Sequence, residues 1–470
     1  MNHINWIEEV NKRKAQLIKD TQEFLQIKSV LDEENSTPEA PLGVGIQEAL
    51  QYMLKKGESD GFLVKDVKHL AGHIEMGSGE DILGVLCHVD VVPEGDGWSS
   101  DPYGAEIRDG KIFARGVLDD KGPTMAAYYA MKIVKELGLP LSKRVRMILG
   151  TDEESDWRCV DTYFKHEEMP TLGFAPDADF PIIFAEKGIW DFYIKQAPNL
   201  EVGTAVVTVK EFTSGRRFNM VPDYAKAVLE VKDSQSEVVA SFQEFINKHK
   251  LNGKAREEGT ALVLELEGIS AHGMEPRNGV NAGLYLSLFI NGLQLSKHAK
   301  GYFAFVVKYL FDDSRGNGFN IDYKDEATGD VTLNVGLLRY SNSEGGQIGV
   351  NLRYPVSYDY ENASQKLQSV LMDNHFSLVT LSDSKPHHVE ADSFLVQTLS
   401  KVYEAQTGEK AELIAIGGGT YARSLEAGVA FGPLFPGRED IAHQKDEYMF
   451  IEDLLKATAL YAEAIYELAK

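Results

Sequence analysis

The sequence predicts an α/β protein in two parts. The first is a discontinuous domain with a mixed, mainly parallel sheet and helices on both faces, and the second is an α+β domain inserted into it. Three observations predict this. Apolar runs that end on a histidine or an acid alternate with helical stretches up to about Pro176, the pattern of a parallel sheet. From about Gly188 short alternating strands mix with helices, and beyond Pro386 the α/β pattern returns. The boundaries fall at 1–187 and 383–470 for the discontinuous domain and 188–382 for the insert.

Taken in order, Ile7, Val10, Leu17, Ile18 and Leu25 follow a helical period, so the chain begins with an amphipathic helix. A loop with Pro38, Pro41 and Gly43 leads to a second helix that Gly57 is expected to close. Ile82 to Cys87 carry no charge and read as a strand buried on both faces. Further apolar runs lie at Lys111 to Gly116, Val145 to Gly150 and Leu172 to Ala175. Between them, Pro123 opens a helix that continues from Met125 to Leu137 and stops at Gly138. In the insert, strands are expected at Val206 to Phe212, Ala225 to Val231, Ala261 to Gly268 and Phe376 to Leu381, with a hairpin from Val331 to Tyr340 and Gln347 to Tyr354. Helices are expected at Ser234 to Lys250, Val280 to Leu295 and Ala363 to Met372. The last part holds a helix from Phe394 to Ala405, the glycine loop Gly417-Gly418-Gly419, a strand at Val429 to Gly432 and an amphipathic C-terminal helix.

Composition bounds the function. With 470 residues the chain is too long for one core, and 43% hydrophobic with 26% charged residues is an ordinary globular balance. A formal net charge of −24 argues against nucleic acid or an anionic membrane as partner, and favours a small molecule or peptide. There is no spanning apolar run and no hydrophobic signal core in the first thirty residues, and only 2 cysteines are present, which together predict a cytoplasmic protein with reduced thiols at Cys87 and Cys159.

The chemistry gathers at the ends of the apolar runs. His88 and Asp90 stand two apart after the first run, so an extended backbone points both the same way: His88 can hold a metal while Asp90 orients its other ring nitrogen. Asp119 lies in a strand-to-helix turn, Glu153 and Glu154 follow Gly150, Asp177 follows Ala175, and His443 lies in a late loop. Any one of these acids reads as a helix cap or solvated loop residue. Together, His88, Asp119, Glu154, Asp177 and His443 offer two imidazoles and three carboxylates to two divalent ions, with Asp119 as the bridging group. Adjacent residues of a strand face opposite ways, so Glu153 and Glu154 serve one site only from a turn; Glu154 then binds metal and Glu153 acts as general base. Asp120, beside Asp119, leaves open which acid bridges.

The segments His88-Val89-Asp90, Asp119-Asp120-Lys121-Gly122, Glu153-Glu154, Asp177 and His443 resemble the pattern of the dinuclear zinc metallopeptidase family. That family includes aminoacylases, acetylornithine deacetylases, succinyl-diaminopimelate desuccinylases, carnosinases and PepV-type dipeptidases. The likeness is strongest to the PepV-type dipeptidases, which share the passages Gly417-Gly418-Gly419-Thr420-Tyr421 and Asn351-Leu352-Arg353-Tyr354-Pro355. The resemblance implies a catalytic domain and a lid of two ferredoxin-like halves. It also implies that His88 and Asp177 hold one metal, Glu154 and His443 the other, and Asp119 both, across a cis bond to Asp120. Zinc is the metal it implies; manganese or cobalt also suit such ligands. In the lid, His272 would stabilise the oxyanion, and Asn219 and Arg353 would bind the substrate, with Gly417, Gly418 and Gly419 helping to hold its carboxylate. The long lid implies a monomer in which His272 acts within its own chain. The expected activity is hydrolysis of unblocked dipeptides. The alternatives are deacylation of an N-acyl amino acid, which uses the same residues, and a non-catalytic metal-dependent binding protein, against which Glu153 and His272 argue.

Overall fold

The computed structural model describes residues 4–199 and 205–470. They divide into two compact units, each with its own core: 4–185, 388–415 and 419–470 form the first, and 186–199, 205–387 and 416–418 the second. Both mix helices with sheet.

In the first unit a sheet runs in the order Leu63–Val67, Ala71–Gly77, Arg144–Gly150, Ile82–His88, Leu172–Ala175, Gly428–Ala430, Ile182–Glu186. The four central strands, from Arg144–Gly150 to Gly428–Ala430, are parallel, and the flanking pairs Leu63–Val67 with Ala71–Gly77 and Ala71–Gly77 with Arg144–Gly150 are antiparallel. Ile82–His88 is buried at every position, as a strand must be when both sheet faces are covered. Helices Trp6–Leu25, Lys121–Glu136, Phe394–Thr407 and Ile451–Ala469 supply much of that cover, and most of Lys121–Glu136 and Ile451–Ala469 is buried.

Three local expectations change. The buried residues of the first helix are Trp6, Val10, Leu17, Asp20, Thr21, Phe24 and Leu25, with Ile7 exposed, because a Trp one position before it covers more core area than an Ile. Gly57 does not close the second helix, which spans Val44–Ser59; it sits inside the last turn, where an added Cβ would lie 3.1 Å from three carbons of Ile74. That glycine serves close helix-to-strand approach. The run at Lys111 is not part of the large sheet: Lys111–Phe113 pairs instead with Glu106–Arg108 and Tyr448–Phe450 in a small antiparallel sheet. This small sheet fastens the start of the Asp119 loop to the end of the His443 loop.

The second unit is built on an eight-stranded antiparallel sheet. Its order is Asn252–Glu258, Ala261–Glu267, Tyr224–Val231, Val207–Ser214, Thr332–Ser341, Gly345–Tyr354, Gly188–Gln196, Phe376–Ser384. Along Gly188–Gln196 burial alternates, with Trp190, Phe192 and Ile194 inward, the pattern of a sheet covered on one face. The two four-stranded halves meet where Val207–Ser214 pairs with Thr332–Ser341 over Phe212↔Tyr340, Thr213↔Arg339 and Ser214↔Leu338. Among the described residues no helix is long and apolar enough to cross a membrane.

One buried histidine carries a prediction about stability. His73, on Ala71–Gly77, has Nδ1 2.8 Å from the Tyr163 hydroxyl, and burial, then the nearby Arg146 charge, lower it to about 4. The unfolded chain binds this proton near 6.5. Between these values the unfolded state holds more protons than the folded one, so the contribution of His73 is intact above about 6.5 and lost as pH falls toward 4. In melts from pH 7 to pH 4.5, His73→Gln should show a shallower acid decline in Tm than the parent. An identical decline would show that the fold binds the His73 proton as readily as the unfolded chain does.

Candidate metal centre and substrate-binding residues

Parallel pairing brings the candidate ligands to one sheet edge. His88 lies opposite Gly150 in register, and Val85 opposite Phe174, so the turns after Gly150 and Ala175 open beside the histidine. Gly150 must be glycine for packing: an added Cβ would lie 1.9 Å from the Tyr421 hydroxyl, whose ring stands edge-on to His88 with centroids 5.9 Å apart.

Two triads overlap at one residue. His88, Asp119 and Asp177 bring ligand atoms within 4.8 Å of one another, and so do Asp119, Glu154 and His443. The Asp119 carboxylate lies between the histidines, with Oδ1 3.0 Å from His88 Nε2 and Oδ2 2.9 Å from His443 Nε2. His443 Nε2 is also 3.0 Å from Glu154 Oε1, and His88 Nε2 is 3.7 Å from Asp177 Oδ1. The peptide bond between Asp119 and Asp120 is cis. Asp120 points away into the protein: its Oδ2 accepts the His88 backbone N–H at 3.1 Å and lies 3.0 Å from the Thr124 hydroxyl, while Oδ1 is buried without a partner. Of the two adjacent acids, Asp119 is the one placed between the imidazoles.

Asp90 acts in two directions. His88 Nδ1 is 3.0 Å from the backbone carbonyl of Asp90 and 3.4 Å from its carboxylate, so the nearer acceptor for the ring is the main chain. The carboxylate instead accepts the backbone N–H groups of Glu153 at 3.3 Å and Glu154 at 3.1 Å, which fixes the acidic turn beside the histidine. Glu153 and Glu154 lie in that turn, beyond the strand. Glu153 also falls in a group with His88 and Glu154, and among the described residues its carboxylate accepts no hydrogen bond.

The electrostatics fit a cation. Burial, then the Asp119 carboxylate, push Asp177 up to about 7; burial, then Asp177, hold Glu153 well above the usual carboxylate range. Hydrogen bonds to Asp119 and then Glu154 lift His443 to about 10. For Asp119 burial acts upward, but hydrogen bonds from His443 and His88 outweigh it and hold the carboxyl below its usual range. The three carboxylates and two imidazoles of the two triads, without a thiolate, suit a divalent ion of hard or borderline character. Cys87 and Cys159 are both buried free thiols, and Cys159 Sγ is 3.2 Å from the Tyr421 hydroxyl.

Glu447 is absent from the sequence-derived set, yet it is fully buried beneath the Asp119 loop and accepts backbone N–H groups from Gly116 and Leu118. Burial, opposed by those bonds and by Arg115, raises it to about 7. Its signal in the sequence is weak: one acid in the polar run Gln444-Lys445-Asp446-Glu447 just before an apolar strand.

The remaining candidates belong to the second unit, apart from Gly419. Met220 and His272 form a β-bridge, the Gly273 N–H donates to the Asn219 carbonyl at 2.7 Å, and so the Asn219 and His272 segments run side by side. His272 Nδ1 accepts the Met274 backbone N–H at 3.2 Å, which leaves Nε2 to carry the proton of the neutral ring. Burial, then the Arg353 charge, lower its pKa and favour that neutral form. Arg353 is buried: Nη1 donates to the Gly417 carbonyl at 2.6 Å and Nε to Asn351 Oδ1 at 3.0 Å, and Asn351 in turn donates to Asp191 at 2.7 Å. At Gly417 the loop therefore meets the guanidinium with its carbonyl. Gly418 lies beside the same guanidinium, and Gly419 packs on Arg423.

Comparison with known proteins shows the family. The family described as peptidase family M20/M25/M40 matches residues 84–467. A Bacillus subtilis protein named "Putative dipeptidase YtjP" is 56% identical over 469 residues, 99% of this chain and 100% of the relative. A Staphylococcus epidermidis protein named "Putative dipeptidase" is 47% identical over 464 residues, 98% of this chain and 99% of its own length. Among solved structures, the aminoacylhistidine dipeptidase from Vibrio alginolyticus shares the fold with a TM-score of 0.59 at 11% identity, covering 97% of each chain. The chain therefore belongs to peptidase family M20/M25/M40, a family of metal-dependent enzymes, and is a hydrolase of peptide bonds.

Proposed function

We propose that the chain hydrolyses unblocked dipeptides with the aid of two divalent cations, held by His88 and Asp177, by Glu154 and His443, and by Asp119 between them. The observation that carries this reading is the pair of triads sharing Asp119, with the unbonded Glu153 carboxylate in the same turn as Glu154. The relatives named as dipeptidases over almost their whole length support a small peptide as substrate.

When bound, the cations, zinc by preference and manganese or cobalt by the same donor chemistry, would supply Lewis acidity to the attacking water and the scissile carbonyl. Glu153 takes the proton from that water as it attacks and delivers it to the leaving amine nitrogen. Asp90 keeps His88 in one orientation through its backbone carbonyl, and keeps Glu153 and Glu154 in place through its carboxylate. His272, neutral and protonated on Nε2, donates to the developing oxyanion from the same chain in a monomer. Arg353 pairs with the substrate's C-terminal carboxylate, with Asn219 and the loop Gly417, Gly418 and Gly419 completing the pocket. Asn351 and Asp191 hold the Arg353 guanidinium plane for that purpose.

Specificity separates this reading from deacylation of an N-acyl amino acid. Comparing a dipeptide with its N-acetyl analogue should give a kcat/KM at least about tenfold higher for the free amine, on the order of one lost charge-assisted contact. Preference for the acetylated compound would transfer the assignment to the deacylases.

A further inference from the structure

We propose that Glu447 is a positioning residue for the metal centre: its buried carboxylate ties the loop carrying Asp119 to the loop carrying His443, so that both groups stand in place before a cation binds. This rests on the assignment of Asp119 and His443 as ligands. Glu447 Oε1 accepts the Leu118 N–H at 2.8 Å and lies 3.4 Å from the Asp119 nitrogen. Its Oε2 accepts the Gly116 N–H at 3.1 Å and Arg115 Nη1 at 2.6 Å. The main chain adds a further tie, from the Ala114 N–H to the Glu447 carbonyl at 3.1 Å.

Arg115 extends the clamp. It is 1% exposed, its Nη1 also reaches the Gln444 carbonyl at 3.3 Å, and its Nη2 reaches the carbonyls of Pro93 at 3.4 Å and Glu94 at 3.3 Å. One carboxylate and one guanidinium thus hold three chain segments together. The segment they hold at the far end is strained: His443 has φ 63° and Asp446 φ 58°, left-handed conformations that non-glycine residues keep only when their surroundings impose them. At the near end, the backbone bonds at Gly116 and Leu118 oppose any swing of the loop that carries Asp119.

The donor count requires a carboxylate. Both oxygens face N–H donors, so a glutamine would set its own NH2 either against Leu118 or against Gly116 and Arg115, and would leave the buried guanidinium without its counter-charge.

The test compares Glu447→Gln with Glu75→Gln in the full-length chain. Glu75 pairs with buried Arg146 at 2.6 Å in the same unit and touches neither the Asp119 loop nor the His443 loop. Zinc affinity is read by competition with a chromophoric chelator, and metal-free thermal stability by melting. Glu447→Gln should bind zinc roughly 10–100-fold more weakly than the parent, the range for losing an outer support of a ligand. Glu75→Gln should stay within about threefold at a similar loss of Tm. Parent-like affinity in Glu447→Gln, or equal losses in both variants, would overturn the proposal. Absence of zinc binding by the parent would overturn it together with the ligand assignment. Should Glu447→Gln fail to fold, hydrogen exchange on the metal-free parent decides. Amides of Gly116 and Leu118 as slow as those of Ile82–His88 support the clamp, and exchange at the rate of exposed loops overturns it.

Discussion

Replacing Glu153 by alanine should lower dipeptide turnover by roughly 10²–10⁴-fold, the usual contribution of a positioned general base, while metal content stays at the parental level. The two readouts separate two roles that geometry alone allows. Glu153 groups with His88 and Glu154 closely enough to serve as a ligand, but its carboxylate accepts no hydrogen bond among the described residues, whereas Glu154 already meets His443 at 3.0 Å. A base must have a lone pair free for the water, and Glu153 keeps one. Turnover and metal content falling together would make Glu153 a ligand; unchanged turnover would remove it from the mechanism. Since the Glu153 backbone N–H is held by Asp90, the side chain can be truncated without loss of the turn.

Asp119→Asn should have the other large effect, weakening cation binding by more than about a hundredfold, beyond what loss of an outer support costs, with activity falling alongside. Asparagine keeps the shape but replaces one oxygen by an NH2, which cannot ligate a cation, so only one of the two positions that Oδ1 and Oδ2 hold beside the histidines could serve one. Asp120→Asn is the control. Its side chain is buried against the His88 backbone and Thr124, away from the imidazoles, so it should retain metal and lose stability only. Metal loss confined to Asp120→Asn would shift the bridging role by one residue. Metal content is measured by elemental analysis after gel filtration.

Much of the site was legible because its residues sit where local pattern ends. An uncharged run that must be a buried strand hands its next polar side chains to the sheet edge, and His88, Glu154 and Asp177 all follow such runs. Other elements gave no such signal. Asn252–Glu258 is a strand at the sheet edge, almost wholly exposed and polar, so it has no apolar period to read. Lys297–Tyr309 is a helix although Gly301 interrupts it and the aromatic and β-branched run from Tyr302 to Val307 favours a strand; packing into the core of the second unit decides in favour of the helix.

The sequence by itself determined which residue types stand at the ends of the parallel strands, and with them the family and a metal-dependent hydrolase. Periods of apolar residues and the turn-forming residues that interrupt them act over a few positions, so they can be read from the chain alone. Only the tertiary structure decided which oxygen faces which nitrogen: Asp119 rather than Asp120 between the histidines, the Asp90 main chain rather than its carboxylate nearest His88, and Glu447 beneath the Asp119 loop. These outcomes depend on hydrogen bonds between groups as far apart in the chain as Gly116 and Glu447, 331 positions. The direction of a side chain in a turn is set by such distant partners, and no local pattern encodes it.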